Sequence, residues 1–262
     1  MPTEVEIATW PICVLAALCG LAGCSQDRTP APVLSEPPVL PLVGKTVAVD
    51  PGHNGGNAAH ASEIARRVWI GNGYKECDTT GTATNSGYAE ASYNFDVAQR
   101  LSRLLKVAGA SVVLTRNSNR GWGPCIDRRA RIGNRAEADA AISIHADGGP
   151  AGGRGFHVIY PERIRGLSDD IASQSHTLAL RIRAAYRRGT EMPYSTYLGT
   201  AGLNERGDLG GLNLSNVPKV FIETGNMRNA IDARRLQDPR FRQRAAQSIE
   251  SGLERFLISS QR

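Results

Sequence analysis

Cysteine is scarce in this 262-residue chain, with five in all, and Cys13, Cys19 and Cys24 fall within the first 24 positions. Too few remain for a disulfide scaffold that could stand in for a hydrophobic core. Long apolar runs are missing too. The stretch Ile12 to Ala22 is too short to span a bilayer as a mature helix. Nor is there a run of like charge, since 31 Lys+Arg and 25 Asp+Glu are interspersed to a net +6. That balance lacks the basic stripe of a nucleic-acid-binding surface, and no nucleic-acid partner is expected. Internal repeats are absent, which excludes a solenoid. What is present is ample apolar content, 41% of residues, so the chain is not disordered as a whole and has the length for one full domain.

The N-terminus reads as a targeting segment. The apolar stretch ends in Leu21-Ala22-Gly23-Cys24, small residues at a cleavage position, so residues 1–23 are expected to be a signal peptide. Leu-Ala-Gly-Cys resembles the lipobox of bacterial lipoproteins, which implies lipidation at Cys24 and a membrane-anchored, exported protein. The segment ahead of it carries Glu4 and Glu6 and no base, unlike the usual basic start; a buried N-terminal helix is the alternative. Removing residues 1–23 takes away two acids and no bases, raising the charge from +6 to +8. Cys77 and Cys125 then remain. In an exported chain they read as one disulfide, worth about 4 kcal/mol by loop entropy, with two buried thiols as the alternative.

Residues 24–42 hold five of the fourteen prolines and read as a semi-extended tether, leaving residues 43–262 as the folded domain. Strands are expected at Thr46–Val49, Ser111–Thr115, Ala141–Ile144, Gly155–Tyr160 and Lys219–Glu223. Helices are expected over Ala89–Val107, Ile126–Ala138, Ser168–Arg188 and Asp238–Ser259, from apolar residues recurring three or four apart. Alternation of this kind specifies an α/β sandwich with helices covering a mostly parallel sheet.

Three of these strands run into residues that bind metal or move protons: Asp50-Pro51-Gly52-His53, then Ser143-Ile144-His145-Ala146-Asp147, then Glu223-Thr224-Gly225. Strand C-termini are where sites assemble in open α/β sheets. Two histidines and a carboxylate with one position open is a common catalytic zinc set. A lone strand-end histidine is more often a hydrogen-bonded structural residue; two on one sheet shift the balance toward a site.

The run Val49-Asp50-Pro51-Gly52-His53-Asn54-Gly55, then Gly87-Tyr88-Ala89-Glu90 with Asn94, Thr115-Arg116, Ser143 to Asp147, and Glu223-Thr224-Gly225 with Asn229 resembles the zinc-dependent N-acetylmuramoyl-L-alanine amidases. The resemblance covers about residues 45–258 and implies a three-layer sandwich with a six-stranded mixed sheet. It implies zinc on His53, Glu90 and His145, and Glu223 as the catalytic carboxylate. The expected reaction is hydrolysis of the amide between N-acetylmuramic acid and L-alanine, in peptidoglycan or its muropeptides. Glu63 is the rival third ligand. Arg206 and Asn229 are expected to meet substrate. Another zinc peptidase of the wall, or a non-catalytic wall-binding lipoprotein, are the alternatives.

Two departures from the family pattern stand out. The family usually has glycine where this chain has Asn54, and the interval from His53 to Glu90 is longer than usual and contains Cys77. Asn226-Met227 also stands where an aromatic residue is common. Arg116 and Arg128-Arg129-Arg131 read as a solvated face, with contact to wall carboxylates as the alternative. Gly210-Gly211 reads as a turn. His60, His157 and His176 are expected to be structural or exposed. The interval His145 to Glu223 has room for one long helix and little else, so no autoinhibitory helix and no activator protein are expected.

Overall fold

The computed structural model describes residues 40–259; the signal segment, Cys24 and most of the tether lie outside the described residues. Leu42, grouped above with the tether, is fully buried and its N–H donates to the carbonyl of Ala108 at 2.9 Å. The folded body therefore takes in the end of that segment.

In chain order the elements are β1 (Thr46–Pro51), a 3-10 turn (Asn57–His60), α1 (Ala61–Ile64), β2 (Arg67–Trp69), β3 (Tyr74–Glu76), α2 (Glu90–Val107), β4 (Ser111–Leu114) and α3 (Ile126–Arg135). There follow β5 (Ala140–Asp147), β6 (His157–Pro161), α4 (Ala172–Thr190), β7 (Leu203–Arg206), α5 (Gly210–Asn213), β8 (Lys219–Asn226), α6 (Ala230–Gln237) and α7 (Pro239–Ser259). Six strands form one sheet in the order β4-β1-β5-β8-β6-β7. The first four are parallel; β6 runs antiparallel to β8 and parallel to β7. The mixed six-stranded sheet is the one expected.

Strand alternation sends Val47, Val49, Ile142, Ile144, Val220 and Ile222 to one face, where they join Tyr93 and Leu101 of α2, Leu178 and Ile182 of α4, and Ile249 and Leu253 of α7 in the main core. The other face carries α3 and α5 over a smaller layer that includes Ala48, Ala141 and Val217. His145, Phe221 and Glu223 alternate with the main-core residues of their strands, so they belong to this second face.

Several boundaries differ from the periodic reading. α4 begins at Ala172 rather than Ser168, because the Ser168 hydroxyl is used in the preceding turn, donating to the Glu162 carbonyl and accepting from Ile164 N–H. The closing helix is α7, one residue shorter at its start than expected, and a separate helix that was not expected, α6, precedes it. Asp238, ahead of Pro239, is extended at ψ 118°, as a residue before proline prefers. β2, β3 and β7 carry too few residues to show a period. Gly210-Gly211 opens α5 instead of making a plain turn: a Cβ on Gly211 would lie 2.7 Å from the Phe221 ring, so glycine lets this turn of helix press against the strand that bears Glu223.

Candidate active site

β1 and β5 are parallel neighbours, as are β5 and β8, and their C-terminal ends bring the dispersed motifs together. His53 follows β1 in the left-handed region, at φ 55°. His145 pairs in register with Glu223, so both side chains leave the sheet on the same face. Glu90 is the first residue of α2, where its charge also suits the helix dipole. One ligand atom from each of His53, Glu90 and His145 lies within 4.8 Å of the others. Glu90 Oε1 is 3.0 Å from His145 Nδ1, and Glu90 Oε2 is 3.4 Å from His53 Nε2. The N–H groups of Thr82 and Ala146 donate to the two carboxylate oxygens at 2.9 and 3.2 Å. Glu63, the rival ligand, is only partly exposed and pairs instead with His60.

Packing of these charges perturbs His53, Glu90 and Glu223. Burial acts to lower the His53 pKa, but the carboxylates of Glu90 and Asp78 outweigh it and raise the imidazole to about 10. Burial opposes ionisation of Glu90 as well, and the two histidines more than reverse it, holding the carboxyl well below its usual range. Glu223 goes the other way. Burial first, then the nearby carboxylates of Glu90 and Asp147, push it well above the ordinary value. Its Oε2 is buried with no hydrogen-bond partner among the described residues, which is how a carboxylate poised for a water or substrate would sit.

His53, His145 and Glu223 open onto a cavity of about 480 Å³. Its apolar lining comes from Ile126, Ile159, Leu209 and Phe221, and its cationic lining from Arg67, Lys75, Arg129 and Arg206. None of residues 161–176 lines it. Arg206 donates twice to Asp208, at 2.6 and 2.8 Å, as it faces the cavity. Asn229 is elsewhere. Its side chain caps α6, accepting from Ile231 N–H and donating to the Ala151 carbonyl, and does not line this cavity. Asn226-Met227 is likewise structural: the Asn226 amide donates to the Pro150 and Gly153 carbonyls, and Met227 lies in the main core.

Cys77 and Cys125 form a disulfide, with Cα atoms 4.4 Å apart. Arg116 and Arg129, read from sequence as solvated, are both buried. Arg116 donates to the carbonyls of Pro51, Gly52 and Ala91. Arg129 donates to Asp50 at 2.7 Å, Asp78 at 3.2 Å and the His53 carbonyl at 3.0 Å. Asp78, unnoticed in the sequence, is buried and 3.0 Å from His53 Nδ1. Nothing in its local pattern signals this, because its partners come from distant segments.

Two imidazoles at strand ends and the Glu90 carboxylate at the start of α2 could together hold a metal ion, and with a second carboxylate, Glu223, beside them the site is that of a metal-dependent hydrolase on an α/β sandwich. The sequence signature of the N-acetylmuramoyl-L-alanine amidases matches residues 47–255, and the chain belongs to that family. It is 38% identical over 231 residues to the N-acetylmuramoyl-L-alanine amidase Rv3717 of Mycobacterium tuberculosis, covering 87% of this chain and 93% of that protein. Among solved structures, the N-acetylmuramyl-L-alanine amidase Ami1 of Mycobacterium smegmatis superposes with a TM-score of 0.78 at 40% identity, over 83% of this chain and 99% of that one. Ami1 of Mycobacterium abscessus gives the same score and identity, over 82% and 100%.

Proposed function

We propose that the protein is a zinc amidase that cleaves the bond between the lactyl group of N-acetylmuramic acid and L-alanine, in peptidoglycan or in muropeptides. The observation that carries this reading is the pairing of Glu223 with His145 across β5 and β8, beside the convergent His53, Glu90 and His145. The donor set fits zinc: two borderline nitrogen ligands, and one oxygen ligand oriented by backbone N–H groups. Zinc, when bound, supplies a Lewis acid that polarises the scissile carbonyl and brings the pKa of a water near neutrality.

The chain's own residues do the rest. Glu223, which lines the cavity, takes a proton from the attacking water and passes it to the leaving amine. Arg206 faces the same cavity with its charge directed by Asp208, placed to meet a carboxylate of the stem peptide. Arg206→Ala should raise KM about tenfold with kcat little changed, the signature of lost ground-state binding; steady-state kinetics on a soluble muropeptide checks it.

Export and lipidation at Cys24 complete the reading, and the intact mass of the exported protein tests the latter. The reading includes activity without an activator protein, supported by a cavity that residues 161–176 do not line. The decisive experiment is mass analysis of a muropeptide digest by the purified protein alone, with and without chelator. Intact stem peptide freed from the sugar, lost on chelation and restored by zinc, is expected. Fragments cut within the stem would identify a peptidase instead, and an unchanged substrate with zinc-loaded protein would sink the enzymatic reading.

A further inference from the structure

The two departures from the family pattern, Asn54 and the long interval after His53, meet at one carboxylate. Asp78 lies in that interval, next to Cys77, and is buried. Its Oδ1 is 3.0 Å from His53 Nδ1 and accepts from Thr79 N–H at 2.8 Å. Its Oδ2 accepts from Asn54 Nδ2 at 2.9 Å and from Arg129 Nη2 at 3.2 Å. The carbonyl of Thr79, 3.1 Å from the same imidazole nitrogen, is placed in part by that N–H contact to Asp78.

The clamp is itself anchored. Cys125 is the N-cap of α3, one turn ahead of Arg129, and its disulfide reaches Cys77, the residue before Asp78. Ile126 N–H adds a bond to the Cys77 carbonyl at 2.8 Å. One covalent link therefore ties the carboxylate to the helix that carries its guanidinium partner. His53 needs such a hold, since a non-glycine residue at φ 55° persists only where its surroundings fix it. An imidazole that donates from Nδ1 presents its lone pair on Nε2, the nitrogen that faces Glu90.

We infer that Asp78 is a positioning residue of the metal site, which, clamped by Asn54, Arg129 and the Cys77–Cys125 disulfide, fixes the tautomer and rotation of His53 and so raises affinity for the divalent cation. The inference rests on the assignment of His53, Glu90 and His145 as the ligands. Outer-shell partners of metal-binding histidines are worth roughly 10–100-fold in affinity.

Competition against a chromophoric chelator, with the full chain and zinc, provides the test, at a temperature where each variant is folded by circular dichroism. Asp78→Ala should bind zinc about 10–100-fold more weakly than the parent. Asp78→Asn, which keeps an acceptor oxygen but not the charge, should fall between. The double variant Cys77→Ala, Cys125→Ala should weaken binding in the same direction. A purely structural role would lower the melting temperature and leave the zinc dissociation constant unchanged, and that result overturns the inference. Should Asp78→Ala fail to fold, unchanged affinity in both Asp78→Asn and the cysteine variant overturns it equally. A parent that takes up no zinc, or His53→Ala binding as tightly as the parent, would remove the ligand assignment and the inference together. Parent-like affinity in the Asp78 variants alone removes only the inference.

Discussion

Glu223→Ala is expected to abolish turnover, by about 10³-fold in kcat, while the protein still binds one equivalent of zinc. The magnitude is that of a lost general acid–base group. The retained metal follows because Glu223 lies outside the set of ligand atoms supplied by His53, Glu90 and His145. Its stability should move the opposite way from its activity. Glu223 is partly buried; desolvation first, then the carboxylates of Glu90 and Asp147, push its pKa well up, and its Oε2 has no partner among the described residues. Taking it away removes a destabilising burial, so the metal-free variant should unfold at the same or a higher urea concentration than the parent, the trade-off expected of a strained catalytic group. Glu223→Gln should be nearly as inactive, because an amide cannot accept the proton. Steady-state kinetics with metal analysis decides: a variant that still cleaves muropeptide, or one that has lost zinc along with activity, contradicts the division between ligands and base.

The site was legible in sequence to the extent that it is built from strand ends. Val47, Val49, Ile142, Ile144, Val220 and Ile222 mark buried strands by composition, and the polar residues that follow them, His53, His145 and Glu223, are conspicuous because they interrupt apolar runs. Glu90 stands out only through the family resemblance, with which its position at the start of α2 agrees. The residues that the sequence does not reveal are those whose role depends on partners far along the chain. Arg129 lies on a helix with Arg128 and Arg131 beside it, and only the fold shows that one of the three turns inward while its neighbours remain partly or fully exposed. Asp78 and the β2–β3 hairpin sit in a polar segment with no period at all. Asn229 is a related case: an asparagine ahead of a short helix is a good N-cap, and the eight residues of α6 are too few to show a clear period.

The largest effect on stability should come from Arg129, although it is not among the ligand or catalytic residues. Its guanidinium reaches Asp50, Asp78 and the carbonyls of Pro51, His53 and Pro124, tying the segment around His53 to two other parts of the chain. Removing one partner of a buried ion pair costs about 3–5 kcal/mol, because the charge left behind is uncompensated. Against a typical domain stability of roughly 5–15 kcal/mol, Arg129→Ala should bring the protein close to unfolding. Arg129→Lys should rescue little, since a single ammonium cannot span the five acceptors of a planar fork. Acid sensitivity gives the sign check. Burial alone would raise the Asp50 pKa, but Arg129, then Lys219, Thr115 and Ser143, outweigh it and hold it far below the usual value. Asp78 is lowered too, with His53 and Arg129 overcoming burial. Carboxyls depressed in the folded state stabilise it above their unfolded pKa of about 4, and that contribution is lost as the pH falls toward the folded values. Urea midpoints of the metal-free protein measured from pH 7 down to about 3 should therefore drop steeply for the parent. For Arg129→Ala they should start low and fall less, since part of what acid removes is already gone. An equally steep fall in both proteins would mean that Arg129 does not set these two carboxylates.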